Sequence, residues 1–457
     1  MMKSHAYQNK GVAVFGLGKS GLSTAQRLHD GCANVRVWDD RPAGREAAEN
    51  AGLDVQNFQT ADFSNIDILV LSPGVPLTHP APHPVVELAN RSNVDIVGDV
   101  EIFLNEKTAG KLVGITGTNG KSTTSALTHH MLADAGRDTA LGGNIGTPVM
   151  DLPQLNADGT YVLELSSYQL DLTPSWKADI AVILNVTPDH LDRHGDMAGY
   201  TAVKEKIFQN QNKADVAIIN IDDAICKEIA SKIEADNGAK LTPISVEMEV
   251  EAGVTAVGGI LVDNTKLGAG WTFDINRLDA LRGKHNWQNA CAAVAVTRAL
   301  GLSNAEIAKG LKTFGGLAHR MELVAKRNNV RFINDSKATN AEAAEKSLAS
   351  FENIFWICGG VAKAGGIESL TPLFSNIRHA YLIGTASKEF AATLDGQASY
   401  TVCDALEVAV LKAAEAAELF GQEATVLLAP AAASFDQFKS FESRGNVFRD
   451  LVEGLGK

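Results

Sequence analysis

The segment GITGTNGKST, residues 114 to 123, combines closely spaced glycines with a lysine and two hydroxyls, a set of residue types suited to holding phosphate. Gly117, Thr118, Asn119 and Gly120 would turn backbone N–H groups toward the anion, Lys121 would meet the β/γ oxygens, and Ser122 or Thr123 a magnesium ion. The general phosphate-loop pattern wants glycine where Ile115 stands; the glycines here fall at 114, 117 and 120. A second turn, GLGKSG at residues 16 to 21, has the G-x-G-x-x-G form of a dinucleotide fingerprint, with Asp39 closing the next strand as a ribose-binding acid. The same geometry holds any diphosphate, including that of a nucleotide sugar, and equally permits close packing of a helix on a strand. Acids and imidazoles form a third group: Glu164, then Asp189, His190 and Asp192 in NVTPDHLDRHG, where a carboxylate and an imidazole can hold metal or simply cap turns.

Further clusters lie at GKHNWQN (283 to 289), at Arg320, at NDSKATN (334 to 340) and at APAAASFDQFKSFESRG (429 to 445). Arg320 or Lys337 would neutralise charge on a transferring phosphoryl group; alternatively Asp335 is a helix N-cap and Lys337 a solvated side chain. Lys204, in YTAVKEKIF, reads from periodicity as a helix surface lysine.

The elements that must position these residues alternate between short apolar strands and helices, which predicts an α/β fold with mostly parallel sheets. GVAVFG, NVRVWD and DILVLSPG read as strands of a Rossmann-like domain over residues 1–100 that would bind a diphosphate. KLVGIT, TYVLEL, DIAVILNV and DVAIIN read as central strands of a P-loop ATPase-like domain over 101–316, with additional strands and loops in the weakly patterned stretch 236–282. VRFINDS, NIFWICGG, HAYLIG and TVLLAP restart the pattern in a second Rossmann-like unit over 317–457, after the Gly-rich joint FGGLAHR.

The formal charge of −13 gives no electrostatic footprint for nucleic acid or for an anionic membrane surface. No uncharged apolar run approaches the length of a membrane span, and MMKSHAYQNK leads straight into the first strand without a signal core, so a cytoplasmic location is expected. The five cysteines are far apart and form no C-x-x-C pair, which signals neither a disulfide framework nor a zinc site.

Taken together, GITGTNGKST, ELSSYQL, NVTPDHLDRHG, GKHNWQNACAA, HRME, INDSKATN and SFDQFKSFESRG resemble the Mur ligase family, most closely its D-glutamate-adding branch, across all three expected domains. The Asp-Asn-Pro-Arg stretch of diaminopimelate-adding relatives is absent. The resemblance implies that Gly18, Lys19, Ser20, Asp39, Asp40, Ser72, Gly74, Asn144 and Ser166 surround the UDP substrate, although Lys19 stands where an apolar residue is familiar. It implies that Lys121, Ser122, Asn286, Asn289, Arg320 and Asp335 bind ATP, beside the loop residues named above. Ser122, Glu164, His190 and Lys204, the last as a carbamate, would hold two Mg2+ ions. His190, Lys337, Thr339, Lys363, Ser434 and Phe441 would face D-glutamate, with GGVAKAGG around Lys363 departing from the family's usual GGxDK or GGxGK.

The implied reaction joins D-glutamate to UDP-N-acetylmuramoyl-L-alanine through an acyl phosphate, with Lys121, His190, Lys204 and Arg320 as the catalytic group, in a monomer that needs neither nucleic acid nor membrane insertion. A sister ligase or a folylpolyglutamate-synthase-like enzyme would share the central domain. A nicotinamide-dependent oxidoreductase would use GLGKSG and leave GITGTNGKST without a role; a non-catalytic nucleotide switch would leave the acid–imidazole cluster unexplained.

Overall fold

Strand β1 (Gly11–Phe15) is buried at every position, as its sequence GVAVF requires. It lies at the centre of a sheet completed by β2 (Asn34–Trp38), β3 (Asp54–Val55), β4 (Ile68–Leu71) and β5 (Asp95–Val97). The order is β3-β2-β1-β4-β5 and every pairing is parallel. The strand order reverses beside β1, so the loops leaving β1, β2 and β4 gather at one edge, where open α/β sheets collect ligands. Helix Lys19–Asp30 can start directly on the end of β1 because Gly21 has no side chain: a Cβ there would stand 1.9 Å from the Gly16 carbonyl oxygen.

The computed structural model describes residues 5–107, 109–236, 238–363 and 365–455. It divides into two units, one running to Asp274 and including Trp287–Lys312, the other comprising Ile275–Asn286 and the chain from Thr313 onward.

The first unit contains a second sheet: β6 (Lys111–Thr116), β7 (Thr139–Gly143), β8 (Thr160–Glu164), β9 (Ile180–Ile183), β10 (Val216–Asn220), β11 (Lys240–Ser245), β12 (Val254–Val257), β13 (Ile260–Asp263) and β14 (Trp271–Asp274). Its order is β14-β13-β12-β11-β10-β9-β6-β8-β7. The pairings from β7 through β12 are parallel, while β12, β13 and β14 form an antiparallel meander that occupies the weakly patterned stretch. Strands β8 and β9 are buried along their whole length, which explains their unbroken apolar runs. Gly114 proves to be a strand residue whose missing side chain admits Trp176, with a Cβ there only 2.3 Å from the indole, so it serves packing and lies outside the glycine-rich turn.

The second unit holds β15 (Glu322–Arg327), β16 (Val330–Asn334), β17 (Ile354–Gly359), β18 (Ile377–Ile383), β19 (Tyr400–Asp404) and β20 (Ala424–Leu428) in the order β15-β16-β20-β17-β18-β19. The apolar pattern starts this sheet at Val330, and the structure adds β15 before it as an antiparallel edge strand. ELVAKR is half-buried or exposed throughout and shows no alternation to reveal it. Asp335 caps no helix; Asn340 does, accepting from the N–H of Ala343. Among the described residues no helix is long and apolar enough to cross a membrane.

Candidate active site

β6 ends in the glycine-rich turn, and helix Lys121–Asp134 begins immediately after it, with Gly120 as N-cap at φ 88°. A side chain at Gly120 would strike the Asn289 Oδ1 at 2.3 Å, so backbone conformation and space both demand glycine. Asn185, just past β9, locks the turn: its Oδ1 accepts from the Asn119 N–H at 2.8 Å and its Nδ2 donates to the Asn119 carbonyl at 3.2 Å. Thr118 donates to the Thr187 carbonyl and pairs with the Tyr200 hydroxyl at 3.2 Å. Lys121 folds back over the turn and donates to the Gly117 and Thr118 carbonyls, both at 2.8 Å. Ser122 is buried, Thr123 half-buried, and Asn289 accepts from Thr124 at 3.2 Å.

Lys204 departs from its surface reading. Helix Met197–Glu205 turns it inward until 1% of it is exposed, and its Nζ donates to the Gly117 carbonyl at 2.8 Å and to Thr116 Oγ1 at 3.4 Å. Burial, reinforced by the neighbouring Lys121 charge, lowers its pKa to about 7, so a substantial fraction is a neutral amine at neutral pH.

Glu164 ends β8 next to β6. It is 2% exposed; Oε1 accepts from Asn144 Nδ2 at 2.8 Å, while Oε2 is buried without a hydrogen-bond partner. A buried carboxylate oxygen left unpaired is costly unless a cation meets it, so this group fits a hard metal ion that prefers oxygen ligands. Among the described residues no three His, Cys, Asp or Glu side chains cluster as a ready-made metal site.

His190 sits exposed at the head of helix Leu191–His194, in the left-handed region at φ 54°, with its Nε2 3.4 Å from Asp189. Its ring lies 5.0 Å from that of Tyr168, whose helix is opened by Ser166 through a capping box with Gln169.

The first sheet supplies the other loops. Lys19 reaches across and donates to the Gly146 carbonyl at 2.6 Å, joining the Gly-rich turn to the segment that carries Asn144. Gly18 is the N-cap of its helix, and Ser20 accepts from Thr24 through its carbonyl. Ser72 packs so closely on Gly16 that a Cβ there would lie 2.6 Å away; Gly74 has open space. Asp39 faces inward: its oxygens accept from the Leu17 N–H at 2.6 Å and the Arg41 N–H at 2.8 Å. Burial opposes ionisation of Asp39, yet the Arg41 contacts and the backbone N–H groups hold its carboxyl below the ordinary range. Asp40 is exposed and pairs with His83 at 3.0 Å.

In the second unit, Asn286 donates to the Arg282 carbonyl, and Asp335 is buried, accepting from Ser347 and from the Met321 N–H. Arg320 lies close enough to Asp335 to influence its ionisation. Lys337 is exposed with its Nζ 5.4 Å from the centre of the Phe441 ring, and Thr339 is half-buried nearby in the chain. Ser434 is buried and Lys363 exposed.

The family model for the Mur ligase middle domain matches residues 115–297, that for the Mur ligase MurD-like N-terminal domain residues 10–98, and that for the Mur ligase glutamate ligase domain residues 319–432. A UDP-N-acetylmuramoylalanine–D-glutamate ligase from Caulobacter vibrioides is 52% identical over all of this chain and 98% of its own length. The chain belongs to the Mur ligase family. A protein of the same name from Brucella abortus is 48% identical, covering 100% of this Mur ligase and 98% of the relative. The fold is also that of the UDP-N-acetylmuramate-alanine ligase MurC from Thermotoga maritima, with TM-score 0.58 at 17% identity over 97% of this chain and 99% of that one. A pseudomurein peptide ligase type C from Methanothermus fervidus gives TM-score 0.56 at 17% identity, with the same coverage.

Several residues that brace loops within each unit of this Mur ligase escape sequence reasoning. Asn185 and Tyr200 carry no pattern before the loop contacts are known. Arg444 lies within SFDQFKSFESRG, yet only the structure shows it 1% exposed, binding the Ser336 hydroxyl at 3.0 Å and the Ala432 carbonyl at 3.2 Å. Burial lowers its pKa to about 10, which leaves it cationic at neutral pH.

Proposed function

We propose that this Mur ligase adds D-glutamate to UDP-N-acetylmuramoyl-L-alanine at the expense of ATP, in the assembly of peptidoglycan precursors in the cytoplasm, and acts as a monomer. The observation that carries the substrate choice is identity near one-half, over essentially the whole chain, with relatives that bear that activity in their names. The phosphate loop supports the chemistry: Lys121 and Lys204 converge on the turn at Gly117, with a buried, half-satisfied carboxylate at Glu164 on the adjoining strand.

In this reading the L-alanine carboxylate attacks the γ-phosphate in line, giving an acyl phosphate and ADP. The amine of D-glutamate then attacks the acyl carbon and expels phosphate. Lys121 leaves the Gly117 and Thr118 carbonyls to meet the phosphate oxygens, while the N–H groups of residues 117 to 123 and the helix N-terminus receive their charge. Asn289 beside the loop, and Arg320, Asn286 and Asp335 in the second unit, are assigned to ATP. Two magnesium ions, when bound, would neutralise charge on the transferring phosphoryl group. Ser122, Glu164, His190 and Lys204 would hold them. An ammonium at Lys204 would repel a cation, whereas its carbamate is an anionic oxygen ligand, and the lowered pKa supplies the neutral amine that reacts with carbon dioxide. Gly18, Lys19, Ser20, Asp39, Asp40, Ser72, Gly74, Asn144 and Ser166 serve the UDP substrate, Asp39 by shaping its turn. His190, Lys337, Thr339, Lys363, Ser434 and Phe441 serve D-glutamate.

The test is phosphate release with ATP, magnesium and UDP-N-acetylmuramoyl-L-alanine, comparing D-glutamate, L-glutamate, L-lysine and meso-diaminopimelate. Release with D-glutamate alone, matched by product mass, is the expected result. Release with a different amino acid reassigns the acceptor, and silence with all four overturns the reading.

A further inference from the structure

Arg193 has no role in the chemistry above, yet its side chain joins two loops that the reaction uses. Its Nη1 donates to the Gly74 carbonyl at 3.0 Å, and its Nη2 to the carbonyls of Val75 at 2.8 Å and Pro73 at 3.5 Å. Its guanidinium carbon also lies 4.7 Å from the centre of the Tyr168 ring. Among the described residues no carboxylate pairs with it, so the hydrogen bonds of this cation go to one turn and its flat face to one aromatic ring. A second contact joins the same two segments. Gly195, at φ 83°, ends the helix that carries Arg193, and a Cβ there would stand 3.0 Å from the His79 ring, downstream of that turn.

From Tyr168 the packing continues toward the phosphate loop. The His194 ring stacks on Tyr168 at 5.5 Å and lies 5.5 Å from Tyr200, whose hydroxyl pairs with Thr118. His194 also bonds Ser167 at 2.9 Å, and its burial favours the neutral imidazole. Arg193 is thus the end of a continuous column of rings between the turn at residues 73–75 and the glycine-rich loop.

We propose that Arg193 is a positioning residue: it fixes the turn carrying Ser72 and Gly74 against the Tyr168–His194 column, setting the nucleotide-sugar loop in register with the phosphate loop. The substrate assignment rests on the functional reading above; the fixing of the turn does not. Arginine is needed because several carbonyls and a ring face must be met at once. A lysine can reach a carbonyl but cannot present the planar fork.

Two measurements on Arg193→Ala and Arg193→Lys test this. Hydrogen exchange of the ligand-free protein should quicken for amides of residues 72–79, more in the alanine variant, and low, non-denaturing guanidinium chloride should reverse part of the change in that variant. In steady state, KM for UDP-N-acetylmuramoyl-L-alanine should rise about tenfold, a typical loss for charged hydrogen bonds, while KM for ATP stays within about twofold. Tyr168→Leu, which removes the ring and keeps the guanidinium, should raise the same KM. Unchanged exchange at 72–79 overturns the inference whatever the substrate is. So does an equal loss for every substrate. Quickened exchange in a protein whose wild type does not bind the UDP substrate would instead sink the functional reading and leave the loop anchor standing.

Discussion

Lys121 and Lys204 donate to the same oxygen, the carbonyl of Gly117, each at 2.8 Å. They come from different helices, one that follows the glycine-rich turn and one packed beneath it. Two ammonium groups on one neutral acceptor repel each other, and part of that strain appears as the lowered pKa of Lys204. The arrangement is relieved when Lys121 moves to a phosphate and when Lys204 loses its charge. Both changes are ones that the proposed nucleotide binding and the proposed carbamate at Lys204 would require.

Replacing Lys121 should therefore remove phosphoryl transfer without unfolding the loop, since Asn185 and Thr118 hold the turn independently. Lys121→Ala is expected to lower kcat by about a thousandfold or more, with a circular dichroism spectrum like that of the wild type. Near-normal turnover in the folded variant would remove the phosphate loop from the reaction.

Most of the frame was legible because β1, β8 and β9 are buried on both faces and their sequences are apolar without a break. β15 was not, since an edge strand that is largely half-buried leaves no alternation. The loop at 117–123 was legible from glycine and lysine spacing, whereas Lys204 looked like a solvated helix residue. Its burial depends on which face of Met197–Glu205 meets the end of β6, a fact of tertiary packing that no local period encodes. Gly114 shows the converse: a glycine near the motif whose reason is Trp176, distant in the chain.

Burying Lys204 should leave a mark on stability. The folded chain gives up this proton near pH 7 and the unfolded chain near 10.5. Between those values the unfolded state binds more protons, so stability rises with pH across the window and the burial cost is full below it. In buffer free of carbon dioxide, Lys204→Met should melt higher than the wild type at pH 7, by at least ~3 °C, with the margin shrinking by pH 9.5. The same variant should be inactive, and Lys204→Ala should recover part of its activity with short carboxylates. A margin that grows with pH, or full activity without rescue, would contradict the assignment.

Asn144 holds one Glu164 oxygen and leaves the other free, so it orients the carboxylate toward whatever cation it meets. Outer partners of metal ligands commonly contribute ten- to a hundredfold in affinity. Asn144→Ala should raise the magnesium concentration for half-maximal activity by about that factor, whereas Glu164→Gln should not be rescued at any magnesium concentration. An unaltered magnesium curve for Asn144→Ala would show that the carboxylate needs no such support.

Asp335 carries a stability cost at a position proposed to serve ATP. Burial raises its pKa to about 6, outweighing the hydrogen bonds from Ser347 and the Met321 N–H and the nearby Arg320 charge. The unfolded carboxyl loses its proton near 3.8, so from there to about 6 the folded state holds more protons and stability falls as pH rises. Above pH 6 the full cost of a buried carboxylate is present. Asp335→Asn preserves the shape and an acceptor while removing that charge; it should raise the melting temperature at pH 7.5 and change it little at pH 4. If Asp335 also binds nucleotide, the same variant should weaken ATP in a binding assay at pH 7.5. A variant destabilised at both pH values would mean that the Ser347 and Met321 bonds outweigh desolvation, and unchanged ATP affinity would assign Asp335 to the architecture of the second unit alone.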